Sequence, residues 1–183
     1  MGSTASATRY AVFSVSGRVL ALPAAAVRRV LPLPLLDRPP TAPPVVAGLF
    51  RYQDRAVPVL RLDILFGLEP APPTLYTPLL LVDWGGRPLA LLAGRVFDIV
   101  PVAAPALLEA EAGLSFNGCA VASFRYGAGN ATLLDPERLL TETEGRLLAA
   151  FQAIADDRLA QWQAAGEDAG DVEAEAAPRE TAG

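Results

Sequence analysis

The sequence predicts a mainly β body followed by one long α-helix. Short apolar runs of roughly five to eight residues recur along residues 8–141 with glycine or polar residues between them, the pattern of a barrel or sandwich. Strands and helices do not alternate, so no parallel α/β sheet is expected. After Leu140 the apolar spacing changes to that of a helix. With 183 residues, 52% of them hydrophobic, the chain can bury one core, or two small ones sharing an interface.

In chain order, residues 10–15 and 18–22 flank Ser16-Gly17, a two-residue hairpin turn with the glycine such turns favour. Residues 24–31 follow Pro23 with Val27 and Val30 or Leu31 at helical spacing, and predict one or two helical turns. Residues 32–44 hold six prolines, too many for a backbone ladder. A free linker would be polar, however, and Leu33, Leu35, Leu36, Val45 and Val46 ask for burial, so this segment is expected to be strapped onto the body. Residues 45–50 and 56–62 flank the polar tip Arg51-Tyr52-Gln53-Asp54-Arg55 of a second hairpin.

The second half repeats this grammar: a strand at 79–84, the turn Gly85-Gly86, strands at 89–93 and 96–102, a loop to about Ser115, and a last hairpin of 120–124 with 131–134. Two halves of similar grammar suggest two small barrels sharing strands. Gly127-Ala128-Gly129-Asn130 is the only stretch resembling a glycine loop, and its place between two extended runs makes it a hairpin turn.

Composition removes most chemistry. Histidine is absent, and with it the usual general base, nucleophile partner and metal ligand. There is no phosphate loop, nucleophile elbow or cysteine cluster. Cys119, the single cysteine, excludes an internal disulfide and reads as a small buried hydrophobe. No catalytic, cofactor-binding or metal-binding residue is expected. The start of the chain lacks a signal-peptide layout and no run is long enough to cross a bilayer, which predicts a cytoplasmic protein without direct membrane insertion.

Charge is unevenly placed. The last eighteen residues carry six carboxylates against Arg179, so the overall charge of −5 belongs to the tail and residues 1–165 are neutral. Within them, residues 1–70 carry eight arginines against four acids, and residues 71–165 six against ten. A neutral body without an aromatic platform disfavours nucleic acid as a partner.

Phe13, Ala21-Leu22-Pro23, Val27, Val30, Ala42-Pro43-Pro44, Val46-x-Gly48, Val57-Pro58-Val59-x-x-Leu62 and Gly67 form an ordered set. Leu81-Val82, Leu89-Ala90-Leu91-Leu92, Val96 and the stretch from Leu134 through Asp135-Pro136-Glu137-Arg138 to Leu140 continue it. In this combination the chain resembles the CheW-like domain over about residues 8–141. The resemblance implies two interlocked SH3-like five-stranded β-barrels and a non-catalytic adaptor. Its implied partners are the regulatory domain of a CheA-type histidine kinase and the cytoplasmic tip of chemoreceptors.

The family's receptor-facing positions fall on Val27, Arg29, Gly48 and Gln53. Val27 and Gly48 keep the family residue. Arg29 stands where an acid is usual, Gln53 where the tip arginine is usual, and Asp54 replaces the tip glycine, which points to an altered partner. Arg51 and Arg55 flank the tip and offer positive charge from new positions. The expected partner-binding residues are therefore Val27, Arg29, Gly48, Arg51, Gln53 and Arg55. The plainer reading gives Val27 and Gly48 to packing and leaves the arginines solvated.

Residues 142–165 predict an amphipathic helix with the stripe Leu148, Phe151, Ala155, Leu159 and Trp162, weakened by Gly145. That stripe fits docking on the body better than receiving a partner helix. Residues 1–7 and the acidic residues 166–183 read as flexible ends. Two other functions stay open: a CheW-like module regulating another partner outside the receptor array, and a barrel binding nucleic acid or a small molecule.

Overall fold

Four tight hairpins set the architecture. A computed structural model describes residues 7–40, 42–110 and 116–175, and the side chains of all of these except 116 and 162–175. The hairpins join β1 (Thr8–Val15) to β2 (Arg18–Pro23), β4 (Val46–Tyr52) to β5 (Arg55–Arg61), β6 (Pro78–Trp84) to β7 (Arg87–Leu92), and β9 (Ala120–Tyr126) to β10 (Gly129–Leu134). Single strands β3 (Val27–Pro32) and β8 (Arg95–Val102) follow the first and third. The central turn residues have positive φ at Ser16-Gly17, Gln53-Asp54 and Gly85-Gly86, the geometry that matches strand twist.

The ten strands form two five-stranded sheets with orders β8-β1-β2-β10-β9 and β3-β6-β7-β5-β4, called A and B below. The two halves of the chain exchange strands: hairpin β1–β2 lies in sheet A but the strand after it, β3, joins sheet B. Likewise hairpin β6–β7 lies in sheet B but β8 joins sheet A. The repeat extends to single residues. Val12 pairs with Asp98 and Phe13 with Val96, leaving Phe97 bulged; Leu81 pairs with Arg29 and Val82 with Val27, leaving Arg28 bulged. Gly48 pairs with Val59 and Val46 with Leu60 around bulged Ala47, just as Ala122 pairs with Leu133 and Ala120 with Leu134 around Val121.

The expected closed barrels are instead two open, curled sheets. No ladder joins the outer strands among the described residues; the segments that follow β3 and β8 each make one isolated bridge to the opposite edge, Asp37 to Leu49 and Leu108 to Ser123. In sheet A the curl brings Phe97 of β8 to Tyr126 of β9, ring centroids 6.1 Å apart.

Period-two alternation sends one face of each strand inside its own sheet and the other between the sheets. Tyr10, Val12, Ala21, Phe124 and Leu133 fill sheet A; Phe50, Val57, Leu79, Leu81 and Ala90 fill sheet B. Phe13, Leu20, Leu22, Leu60, Leu80, Val82, Leu89, Leu91 and Leu134 form the core between them. Burial on both faces explains why β6 reads as an unbroken apolar run. Cys119 is fully buried in the central core, and burial pushes its thiol pKa up, as a small hydrophobe's would be.

Two expectations need correction here. Residues 24–31 are not helical turns: only Ala24–Ala26 turn, as a 3-10 helix, and Val27–Pro32 is β3. The bulge at Arg28 breaks strict alternation, so Val27 and Val30 mimic helical spacing. Burial along the strap holds for Leu33, Leu36 and Val45, but Leu35 is 97% exposed. Residues 1–6, where most of the expected flexible start falls, Thr41, residues 111–115 at the end of the expected loop and residues 176–183 lie outside the described residues.

Helix α2 (Glu142–Glu175) begins with a capping box, in which the Thr141 backbone amide and Oγ1 both donate to Glu144 Oε2, at 2.9 and 2.7 Å. Its backbone stays helical to Glu175, ten residues past the expected end. Buried Leu148 joins the central core, so the helix docks on the body. Gly145, expected to weaken the helix, is also where it closes on β6, since a Cβ there would sit 2.6 Å from Trp84 Cη2.

Candidate partner-binding surface

Sheet order divides the six expected residues into two groups. Val27 and Arg29 lie on β3, and Gly48, Arg51, Gln53 and Arg55 on hairpin β4–β5, on opposite sides of sheet B with two strands, β6 and β7, between. The strap that leaves β3 at Pro32 reaches β4 by its Asp37 bridge, whose amides and carbonyls exchange bonds with Leu49 at 2.8 and 2.7 Å. Gly48 is what admits the strap, because a Cβ there would lie 2.8 Å from both the Asp37 carbonyl oxygen and Leu36 Cβ. Val27 is half-buried against the central core, while Arg29 points its charge from an exposed edge position beside bulged Arg28, which pairs with Asp83 of β6.

The hairpin tip gathers the other four. Its two-residue turn is Gln53-Asp54, with φ of 49° and 61°, and it contains no glycine, unlike the other three hairpin turns. A left-handed non-glycine residue costs about 1 kcal/mol or more. The carboxylate of Asp54 pairs with the Arg51 guanidinium across the turn. Arg51, Gln53, Asp54 and Arg55 are all exposed, so the tip presents a strained, charged surface.

Sequence reasoning missed the helix side of this surface. Parallel strands β5 and β7 pair only from Val59 and Ala90 onward, which leaves backbone groups open at one end. Two polar residues one helical turn apart on α2 fill them: Asp156 Oδ1 accepts the Ala56 amide at 2.6 Å, and Gln152 Nε2 donates to the Pro88 carbonyl at 3.2 Å. Gln152 is 6% exposed and its Oε1 has no hydrogen-bond partner among the described residues. The signal in the sequence is a pair of polar residues, Gln152 and Asp156, continuing the line of Leu148 at four-residue steps. Beside this contact, a groove of about 930 Å³ opens between the strap (Leu35, Asp37), the hairpin (Leu49, Phe50, Arg51) and α2 (Phe151, Ile154, Arg158).

Behind the hairpin, the chain turns through α1 (Leu62–Leu65). Asp63 is 4% exposed and accepts from Arg61 Nε at 3.1 Å and from the Ile64 and Ala71 amides at 2.9 and 3.2 Å. Burial by itself would raise its carboxyl, but the Arg61 bond, those two amides and the Arg61 charge outweigh it and hold the group below the usual carboxylate range. This pins the turn behind β5 without adding a reactive group. Among the described residues, no cluster of acidic or thiol side chains could hold a metal ion.

With two exchanged five-stranded sheets in place, comparison with known proteins decides the family. A family model described as the CheW-like domain matches residues 9–144. This chain belongs to the CheW-like domain family. A solved CheW structure, described as that of scaffolding protein TtCheW from Thermoanaerobacter tengcongensis, is similar at 15% identity with a TM-score of 0.67, covering 74% of this chain and 88% of that one. At that identity the likeness speaks for the CheW-like fold alone. No curated protein matches the chain. The family match ends at Glu144, so nearly all of α2 lies beyond it.

Proposed function

We propose that this CheW-like chain is a non-catalytic cytoplasmic scaffold that couples the cytoplasmic tip of chemoreceptors to the regulatory domain of a CheA-type histidine kinase. The carrying observation is the family match across residues 9–144. The chemistry agrees: a chain without histidine offers an exposed interaction surface instead of a reactive centre. No helix among the described residues is long and apolar enough to cross a membrane. In this reading Arg29, Arg51, Gln53 and Arg55 contact partners, while Val27 and Gly48 hold β3 and the strap in shape.

A second reading is favoured by Arg29, Gln53 and Asp54, which depart from the family at its charged positions. There the chain regulates another signalling partner outside the receptor array. One titration separates the two, with the purified protein added to the regulatory domain of each CheA-type kinase from its own cell. Micromolar binding to one of them supports the coupling role; no heat of binding with any would sink it and leave the second reading.

A further inference from the structure

The two halves of the chain hold each other up. Among the described residues, the ladders inside residues 8–61 are only β1–β2 and β4–β5, and those inside residues 78–134 only β6–β7 and β9–β10. The remaining four ladders, β1–β8, β2–β10, β3–β6 and β5–β7, each take one strand from either half. Helix α2 adds a further crossing contact, from Asp156 to the Ala56 amide. Neither half can build a sheet by itself, since a lone hairpin is marginal in water. Each is the template for the other, and nothing in the pairing requires that both come from one molecule.

The covalent link between them is slight. After α1 the chain stays tied to the first half as far as Ala71: Ser16 Oγ donates to the Glu69 carbonyl at 2.7 Å, and Asp63 accepts the Ala71 amide at 3.2 Å. Strand β6 begins at Pro78. Among the described residues, the hydrogen bonds of residues 72–77 stay inside their own turn, where the Thr74 amide donates to Thr77 Oγ1 at 2.7 Å and the Thr77 amide to the Thr74 carbonyl at 3.0 Å. The sequence around that turn opposes bending, because Pro70, Pro72, Pro73 and Pro78 push the residues before them toward extended backbone. The bend also displays Leu75 at 77% and Tyr76 at 89% exposure, a cost in water. Straightened, residues 72–77 span up to about 20 Å. Two such links running between two bodies lie side by side, and each gives the other's Leu75 and Tyr76 an apolar neighbour.

We propose that the chain forms a reciprocal dimer with a second copy of itself, in which residues 72–77 are the hinge and the second half of each copy completes both sheets of the other. All ladders of the single chain are kept, and the gain is the burial of Leu75 and Tyr76 between paired hinges. The exchange stands without the adaptor reading. Where that reading holds, the dimer is a bivalent scaffold with two Gln53-Asp54 tips on one particle.

The test unfolds the full chain in urea, refolds it over about a hundredfold range of concentration, and reads mass by light scattering after size exclusion. The expected result is a dimer whose share rises with concentration and which, once isolated, persists on dilution because release requires unfolding. A specific protease site inserted between Pro73 and Thr74 gives the sharper reading. Cutting it should turn dimers into particles of single-chain mass that contain both fragments, since only the hinges join the two bodies. Leu75→Ser combined with Tyr76→Ser, at exposed positions, should raise the concentration for half dimer at least about tenfold and leave the monomer's thermal midpoint unchanged. Monomer alone at every refolding concentration overturns the proposal. So does a dimer that survives hinge cleavage, which is two closed chains side by side. A dimer indifferent to the paired serine substitutions overturns the hinge contact.

Discussion

Sheets A and B share one wiring, bulge for bulge, and differ in what is laid on them. Hairpin β9–β10 of sheet A turns at Gly127, and Asn130, at the register position of Ala56, is exposed. Its counterpart β4–β5 turns through Gln53-Asp54, is pressed by the strap at Gly48, and is capped by α2 at Ala56. Edge strands β3 and β8 match in the same way, yet Arg29 occupies the position that Asp98 holds in the other sheet. The shared part is what a two-sheet core requires, since it places apolar residues on both faces of the inner strands. The unshared part costs local strain and closeness, and it surrounds a tip where charged residues collect. That asymmetry is why sheet B, rather than sheet A, is the candidate working face.

The largest expected effect removes the helix's anchor. Leu148→Ala should cost about 3 kcal/mol in urea unfolding, and native-state exchange should rise first in β5 and β7, not in β1 and β2. Uniform loss of protection over both sheets would show that α2 does not belong to sheet B in particular. Next comes Gly48→Val, expected to cost about 2 kcal/mol through overpacking against the strap, while Ala122→Gly at the matching place in sheet A should cost less than about 1 kcal/mol. Equal losses at the two positions would contradict the close approach of the strap.

The turn after each outer hairpin gives a third contrast. The Arg61–Asp63 pair has side chains 21% and 5% exposed, whereas the Asp135–Arg138 pair after β10 is at 32% and 59%. Asp63→Asn should therefore cost about 1.5 kcal/mol at neutral pH, and Asp135→Asn less than about 0.5 kcal/mol. Because the folded Asp63 carboxyl lies below its ordinary value of 3.8, its contribution is fully present above that value and is lost as pH falls through the folded value. Thermal midpoints measured on acidification should converge for wild type and Asp63→Asn; a gap that persists at the lowest pH would rule this out. The smallest effect exchanges the turns. Gln53→Gly should stabilise by about 0.5 kcal/mol and Gly127→Gln destabilise by about 1 kcal/mol, both read from thermal unfolding.

Much of this architecture is legible from short apolar runs set between turn residues, because strands such as β2 and β7 bury both faces, Leu20 and Leu22 or Leu89 and Leu91 between the sheets and Ala21 or Ala90 within one. Strand β3 was not legible, since a bulged Arg28 at an exposed edge removes the alternation that would announce it. Leu35 misled for another reason: its position in a proline-rich strap is set by the Asp37 bridge, which no local pattern encodes. Of the surface, the tip residues were foreseeable from polarity between two apolar runs. The pairing of Asp156 with Ala56 was not, because it joins residues a hundred positions apart and answers a vacancy created only when β5 and β7 lie parallel.

The exchange of strands also sets a timetable for folding. Sheet B is made of β3 to β7, consecutive in the chain, so all its strands exist once residue 92 has been synthesised. Sheet A holds hairpin β1–β2 at the start of the chain and places β10 next to β2, with Ala21 meeting Leu133. The first hairpin made must therefore wait for the last strand, a long loop closure of the kind that slows folding. A ribosome releasing this chain would present a finished sheet B beside an unpaired apolar hairpin, and the interval before β10 emerges is when the molecule is most exposed to aggregation.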